Sequence, residues 1–305
     1  MDKINDRESE IVLLAREALI EKKRARRWKI FFRATYIAIA VFASTFFLIS
    51  DDDVFSDVPH TAIVDLDGII ASGSPANAYD IISGLERAFS SPNAQGIILR
   101  INSPGGSPVQ SELINQEIRR LREQHPEKKL YAVVEDLCAS GGYYAAVATE
   151  KIYVSASSIV GSIGVRMDGF EFTEALKSLG IERRLLTAGE NKGFLDPFSP
   201  LKAGQRKHAQ SILNDIHRNF IEAVKTGRGE RLVEDSDTFS GLIWTGMQGI
   251  RLGLVDEIGS VLSVSRDVIG VEELVNYSVK ESFSERLARN FGAEIYNKLV
   301  TYFIY

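Results

Sequence analysis

The sequence predicts an α/β fold in which a mostly parallel sheet is covered by helices. Short β-rich runs alternate along the chain with longer runs that have helical periodicity. This alternation is typical of parallel sheets, because parallel neighbours need a long crossover connection that is usually a helix. The predicted strands are 61–66, 96–101, 129–134, 152–155 and 183–186. The predicted helices are 78–89, 109–124, 142–149, 171–179 and 203–226.

The composition indicates a globular protein. Of its 305 residues, 45% are hydrophobic and 25% are charged, which excludes wholesale disorder and collagen-like repeats. The single cysteine, Cys138, excludes an intramolecular disulfide framework and a cysteine-rich zinc module. The net charge of -5 gives no reason to expect a nucleic-acid partner. We predict no cofactor and no metal ion.

Charge is distributed unevenly along the first part of the chain. Residues 1–33 hold ten basic and six acidic side chains, and residues 22–33 hold seven basic side chains and no acidic one. Residues 34–50 carry no charge. The segment 30–49 would span about 30 Å as a helix, which is the thickness of a bilayer core. Arg33 within it can reach the headgroups. We therefore predict a transmembrane signal anchor at 30–49.

The residues on either side of this segment predict its orientation. A basic flank precedes it and three aspartates, 51–53, follow it. This arrangement predicts a cytoplasmic N-terminus, with the bulk of the chain on the extracytoplasmic side. A cleaved signal peptide or a buried core helix is the alternative. More than 30 residues precede the apolar run, however, and Ser-Asp-Asp-Asp follows it in place of a cleavage site of small residues.

The predicted organisation has five segments. The first is a basic and amphipathic cytoplasmic segment, and the anchor and a short acidic linker follow it. The main α/β domain comes next, and a C-terminal extension without a motif ends the chain. Their bounds are 1–29, 30–49, 50–58, 59–262 and 263–305.

The clearest of the predicted helices is 109–124. Ile114, Ile118 and Leu121 recur at helical spacing and would face the core, with charged residues on the opposite side. Pro108 stands at its start, where a helix tolerates proline.

A glycine-rich turn precedes that helix. The sequence Asn-Ser-Pro-Gly-Gly-Ser at 102–107 follows a predicted strand and opens a predicted helix. Two glycines let the backbone pass close to a ligand, and the N–H groups at a helix start favour an anion. This turn would bind a phosphate or the oxyanion of an acyl-transfer reaction, or it would be an ordinary strand-to-helix turn.

A second strand-to-helix turn carries a serine. The sequence at 139–144 is Ala-Ser-Gly-Gly-Tyr-Tyr. A serine at such a turn points its hydroxyl out of the end of the sheet, as in a nucleophile elbow, and the N–H of Gly141 would face the same space. The alternative for Ser140 is an ordinary helix N-cap.

A nucleophilic serine needs a base. A Ser-His-Asp triad is disfavoured, because the histidines lie beside the linker or on polar helical stretches: His60, His125, His208 and His217. Lys192, in the glycine- and aromatic-rich loop 189–198, is the better candidate, although most lysines are simply solvated. A free lysine has a pKa of about 10.4 and acts as a base only when neutral, so a base needs burial among apolar groups such as Phe194 and Phe198.

Five stretches in this order resemble the signal peptide peptidase A family of membrane-anchored serine/lysine peptidases, in its short single-copy form. The resemblance covers about 58–262 together with the anchor. The stretches are 102–106, 139–144, 160–165, 189–198 and 253–259. One departure is Ser-Gly-Leu-Ile-Trp-Thr-Gly at 240–246, where relatives more often begin with Gly-Arg.

This resemblance implies a fold, an activity and a site. The fold would be a crotonase/Clp-protease-like core of parallel strands and helices, self-assembled as a tetramer. Ser140 would be the nucleophile and Lys192 the general base. Ser162 would hydrogen-bond to Lys192, and Gly106 and Gly141 would supply the oxyanion N–H groups. The implied substrates are residual signal peptides or other apolar peptides at the membrane.

Two other functions remain open at this stage. A crotonase-type acyl-CoA enzyme would use paired backbone N–H groups on the same kind of oxyanion. That chemistry belongs to the cytosol, however, and the anchor predicts that the domain lies outside. A catalytically silent membrane interaction protein of the same fold would have lost Ser140 or Lys192, and both residues are present.

Overall fold

The computed structural model describes residues 16, 21–42, 57–233 and 235–279. The chain divides into two compact units, Met1–Val54 and Phe55–Tyr305. We describe each unit by itself.

The described part of the first unit is a helix, α1, at residues 21–42. Its side chains are exposed, and Trp28 stacks on Phe32 with 5.6 Å between ring centroids. No helix among the described residues combines the length and apolarity needed to cross a bilayer. The remainder of the predicted anchor, 43–49, lies outside the described residues.

The second unit contains an eight-stranded sheet within its described residues. Among these strands, the order is β6-β5-β3-β2-β1-β8, with β4 paired to both β3 and β7. All these pairings are parallel except β5 with β6. The strands are β1 His60–Asp67, β2 Ala94–Ser103, β3 Leu130–Ala139, β4 Ile152–Val154, β5 Ile159–Gly161, β6 Ile243–Thr245, β7 Glu257–Ile258 and β8 Leu274–Asn276.

Helices connect and cover these strands. The two longest helices of this unit correspond to the predicted helices 109–124 and 203–226. Their observed bounds are Pro108–Gln124 and Ala203–Arg228. The helices are α2 Ala78–Ser90, α3 Pro108–Gln124, α4 Gly141–Ala146, α5 Thr173–Ser178, α6 Ala203–Arg228, α7 Gly246–Arg251 and α8 Val261–Ser263. A 3-10 turn, Gly229–Arg231, follows α6, and a π-helical turn, Val264–Ile269, follows α8.

The buried apolar side chains form two clusters, one on each face of the sheet. The main core lies between the sheet and α2, α3, α4 and α6, and it contains the inward face of β2 with Ile97, Leu99 and Ile101. A smaller cluster on the other face includes Ile98 and Val264. Strands buried on both faces read as continuous apolar runs, and this explains why 96–101 was recognisable as a strand.

The prediction of an α/β fold with a mostly parallel sheet is confirmed, and this sheet is consistent with a Clp-protease-like fold. The predicted strand 183–186 is wrong, because these described residues have no regular secondary structure. Leu186 is 95% exposed, and Arg183 pairs with Asp196. A short segment without a neighbouring strand has no ladder of backbone hydrogen bonds to join.

The last described strand lies at one edge of the sheet. β8 pairs in parallel with β1, and Tyr277 just after it is 3% exposed. The Tyr277 hydroxyl lies 2.9 Å from Nε2 of the buried His60. Residues 274–277 therefore pack into the domain, although the sequence analysis placed them in the C-terminal extension.

Candidate active site

Ser140 occupies a strained turn between β3 and α4. Its φ is +50° and its ψ is -120°, a conformation that non-glycine residues rarely adopt. Ser140 is the N-cap residue of α4, but its side chain makes no capping hydrogen bond to this helix within the described structure. Its backbone N–H donates to the carbonyl of Gly161 at 2.8 Å, and its carbonyl accepts from the N–H of Tyr144 at 2.9 Å. Strain of this kind persists where the surrounding structure holds it, often at functional sites.

The first glycine turn packs directly against this serine. A Cβ on Gly105 would lie 2.5 Å from the backbone nitrogen of Gly141 and 2.7 Å from Cβ of Ser140. The φ of Gly105 is +92°, in the region that favours glycine. The sequence therefore needs glycine here for two reasons, a left-handed backbone and a close approach to the elbow.

Two backbone N–H groups come together beside Ser140. The nitrogen of Gly106 lies 3.2 Å from the position that a Cβ on Gly141 would take. Gly141 is the first residue of α4, so its N–H has no acceptor within the helix. Adjacent N–H groups at a helix start suit a developing oxyanion.

The outer side of the glycine turn is already paired. Ile70 forms a parallel bridge with Gly106, and its N–H donates to the carbonyl of Gly105 at 2.9 Å. Its own carbonyl accepts from the N–H of Ser107 at 2.8 Å. An extended peptide beside this turn therefore has to approach from the cleft side.

Ser162 lies on a second strained turn, directly after β5. Its φ is +54°, and its N–H donates to the carbonyl of Leu242 at 2.7 Å. Gly161 before it has a φ of +99°, and a Cβ there would lie 2.8 Å from Cδ1 of Trp244. The indole of Trp244 fills the space that glycine leaves open.

A cleft of about 630 Å³ joins these elements. Four of the five predicted site residues line it, namely Gly106, Ser140, Gly141 and Ser162. Apolar side chains from other elements complete the wall, including those of Ile69, Pro108, Tyr144, Val165, Ile216 and Phe220.

Lys192, the fifth predicted residue, is not among the described residues that line the cleft. It is exposed, and its N–H donates to the carbonyl of Gly189 at 3.1 Å within a turn. The segment packs on itself, with Phe172 against Phe198 at 5.6 Å between ring centroids. Hydrogen bonds to Asp196 from Arg183 and then from Ser199 lower the pKa of that carboxyl to about 2.

Two contributions of α6 to the site were not apparent from the sequence. Phe220 is 4% exposed and stacks on Tyr144 at 4.9 Å between ring centroids. Nε2 of His217 lies 3.1 Å from the carbonyl oxygen of Ile163, next to Ser162. Ile216 and Phe220 share one helical face in the sequence, but no local pattern shows that this face meets a turn 54 residues away.

Two sets of buried polar contacts lie outside the residues that line the cleft. The hydroxyl of the fully buried Tyr143 donates to the carbonyl of Leu254 at 2.6 Å. Arg228, 2% exposed, donates two 2.8 Å hydrogen bonds to Asp256. Burial works to raise the pKa of the Asp256 carboxyl, but the hydrogen bonds and charge of Arg228 outweigh it and hold that pKa below its usual value.

A half-buried serine on a strained strand-to-helix turn, with the backbone nitrogens of Gly106 and Gly141 beside it, suits an acyl-transfer reaction. The family model described as Peptidase family S49 matches residues 122–269. The chain belongs to this family of peptidases, and the resemblance to signal peptide peptidase A is confirmed.

Several relatives match most of the described domain. A putative protease of Methanocaldococcus jannaschii is 30% identical over 74% of this chain and 70% of its own length. A putative signal peptide peptidase SppA of Enterococcus faecium is 26% identical over 64% of this chain and 58% of its own. A protein of Brucella melitensis named Na(+)/H(+) antiporter NhaA is 45% identical over 68% of this chain. The chain covers 29% of the length of that protein.

Proposed function

We propose that this protein is a serine endopeptidase that uses a Ser140–Lys192 dyad. The observation that carries the proposal is Ser140 itself, which lines the cleft at a φ of +50° and whose side chain makes no capping hydrogen bond to α4 within the described structure. Membership of a peptidase family supports hydrolysis of a peptide bond.

The reaction proceeds through an acyl-enzyme. Neutral Lys192 accepts the hydroxyl proton as Oγ of Ser140 attacks the scissile carbonyl carbon. The N–H groups of Gly106 and Gly141 stabilise the oxyanion. The C–N bond then breaks, and the protonated lysine returns the proton to the leaving amine. Water, activated by the same lysine, hydrolyses the ester and restores Ser140.

Lys192 needs a less exposed environment than a single chain gives it. We propose that the chain assembles as a homo-oligomer, a tetramer in the form that the family resemblance implies. Exposed apolar side chains near Lys192 support this proposal, since surfaces of this kind mark protein contacts. They are Phe170 at 81%, Leu179 at 71%, Leu186 at 95%, with Phe172, Ile181, Leu185 and Phe198.

The substrates we propose are residual signal peptides or other apolar peptides at the membrane. The apolar wall made by Tyr144, Ile216 and Phe220 suits an apolar segment. The name of the Enterococcus faecium relative supports the same class of substrate. We also propose that 30–49 anchors the chain in the inner membrane, with a cytoplasmic N-terminus and the peptidase domain outside.

Hydrolysis of a Leu/Ala-rich peptide by the full chain in detergent tests the proposal. We expect Ser140→Ala and Lys192→Ala each to lower kcat at least a thousandfold, because neither serine nor base has a substitute. Ser90→Ala and Lys151→Ala, at exposed positions that do not line the cleft, are the controls and should retain the wild-type rate. Unchanged hydrolysis by Ser140→Ala would rule out this nucleophile, and unchanged hydrolysis by Lys192→Ala would rule out this base.

A further inference from the structure

Helix α6 contacts both strained turns of the site. On one side, Phe220 stacks on Tyr144, whose N–H donates to the carbonyl of Ser140. On the other, His217 reaches Ile163, the residue after Ser162. The two side chains lie three positions apart, so they project from neighbouring points of one helix. Helix α6 therefore packs against both the Ser140 turn and the Ser162 turn.

The contact of His217 defines where its ring carries a proton. A carbonyl oxygen only accepts hydrogen bonds, so Nε2 must donate to the oxygen of Ile163 across the 3.1 Å between them. The ring is half-buried, and its neighbours Ile216 and Phe220 line the cleft. Its donating nitrogen is occupied by the backbone and is not directed at Ser140.

The turn that receives this hydrogen bond needs support. Gly161 and Ser162 both have positive φ, at +99° and +54°. One side of the turn is held by the hydrogen bond from the N–H of Ser162 to Leu242. The contact of His217 with Ile163 holds the other side, so the turn lies between two attachments.

We propose that His217 is a positioning residue, which fixes the Ser162 turn relative to the Ser140 elbow by donating its Nε2–H to the carbonyl of Ile163. This inference rests on the proposed function and on the role that the family resemblance implies for Ser162, a hydrogen bond to the general base Lys192. Loss of the hydrogen bond lets the Ser162 hydroxyl move, while the apolar wall that binds substrate remains. The effect falls on kcat and leaves KM nearly unchanged.

The test compares two substitutions in the full chain. His217→Leu keeps the bulk and loses the donor, and His217→Gln carries an amide N–H at a similar reach. We expect His217→Leu to lower kcat about tenfold with KM within about twofold, and His217→Gln to recover most of the rate. Arg218→Gln, the exposed neighbour paired with Asp215, is the control and should match the wild type.

Two results would overturn the inference. Equal activity of His217→Leu and the wild type would mean that the hydrogen bond does not position the site. Activity of His217→Gln as low as that of His217→Leu would mean that the ring acts otherwise than as an N–H donor.

Amide hydrogen exchange separates this inference from the proposed function. We expect faster exchange at 161–165 in His217→Leu but not in His217→Gln, whether or not peptides are hydrolysed. If His217→Leu exchanges faster and the wild-type protein hydrolyses no peptide, the support of the turn by His217 stands and the peptidase mechanism is rejected. Unchanged exchange in His217→Leu would reject the contact as a support of the turn.

Discussion

The backbone N–H of Ser140 donates a 2.8 Å hydrogen bond to the carbonyl oxygen of Gly161. This bond continues the parallel pairing of β3 with β5, in which Ala139 lies opposite Gly161. It joins the residue with the candidate nucleophile to the residue just before Ser162. The two cleft serines with positive φ, Ser140 and Ser162, are therefore linked through one backbone hydrogen bond at the end of the sheet.

Gly161→Ala should damage this contact. The new Cβ would lie 2.8 Å from Cδ1 of Trp244 and 3.1 Å from the carbonyl oxygen of Leu242, at a φ of +99°. We expect a loss of about 1–3 kcal/mol in the free energy of unfolding and a lower peptide-hydrolysis rate. Urea unfolding and a peptide assay measure the two effects. Gly169→Ala, with no described atom within 4 Å of its Cβ position, should change neither.

A comparison of Gly105→Ala with Gly73→Ala should separate the effect of backbone strain from the effect of displacing Ser140. Gly105 and Gly73 have similar φ values, +92° and +83°, so alanine at either costs about 1–2 kcal/mol of unfolding free energy. A Cβ at Gly105 also meets Ser140 and Gly141, whereas Gly73 has no described atom within 4 Å of its Cβ position. We expect Gly105→Ala to abolish labelling of Ser140 by a serine-directed probe and Gly73→Ala to retain it. Equal labelling of the two variants would contradict the close approach.

Tyr143→Phe should destabilise the domain beneath the elbow. The substitution removes the hydroxyl that donates to the buried carbonyl of Leu254 at 2.6 Å and leaves that carbonyl without its donor. Leaving a buried polar group unsatisfied costs about 1–3 kcal/mol, which a shift in the urea midpoint will measure. Tyr79→Phe, at a side chain that is 80% exposed, is the matched control and should stay within about 0.5 kcal/mol.

The Arg228–Asp256 pair should make stability depend on pH in the acid range. The pKa of Asp256 is held below its ordinary value in the folded state, so its stabilising contribution is present above the ordinary pKa, about 3.9. The contribution is lost as the pH falls through the lower folded-state pKa. Urea midpoints of the wild type should therefore change little between pH 7 and about pH 5 and should fall as the pH drops below about 4.

Asp256→Asn provides the comparison for that titration. Removing one partner of a buried ion pair costs about 3–5 kcal/mol, because Arg228 keeps its charge and loses its counter-charge. We expect a lower urea midpoint at pH 7 and a shallower decline towards pH 3. A decline as steep as that of the wild type would assign the acid sensitivity to other carboxyl groups.

The parts of the fold that were predictable from sequence depend on local constraints. The helix 109–124 shows its periodicity within a few turns, and Pro108 marks its start because proline suits the first helical position. Both glycine turns were recognisable because their conformations restrict which residues fit. Cys138 is fully buried in β3.

The remaining parts depend on contacts between distant residues. β5, β6 and β8 have three residues each, too few for a period, and their neighbours come from far along the chain. The position of His217 beside Ile163 follows from how α6 packs, which its own sequence does not specify. The glycine- and aromatic-rich composition of the loop around Lys192 predicts that the loop is buried, yet Phe198 is 41% exposed.

Cys138 gives the domain an internal reporter of its own motion. It is the single thiol in the chain, lies two residues before Ser140, and is fully buried in β3. Burial also raises the pKa of the thiol, which further suppresses reaction at neutral pH. A thiol reagent can therefore modify it only when β3 separates from its neighbours. The rate of labelling in native buffer therefore measures how often β3, which ends at the residue before Ser140, separates from the sheet.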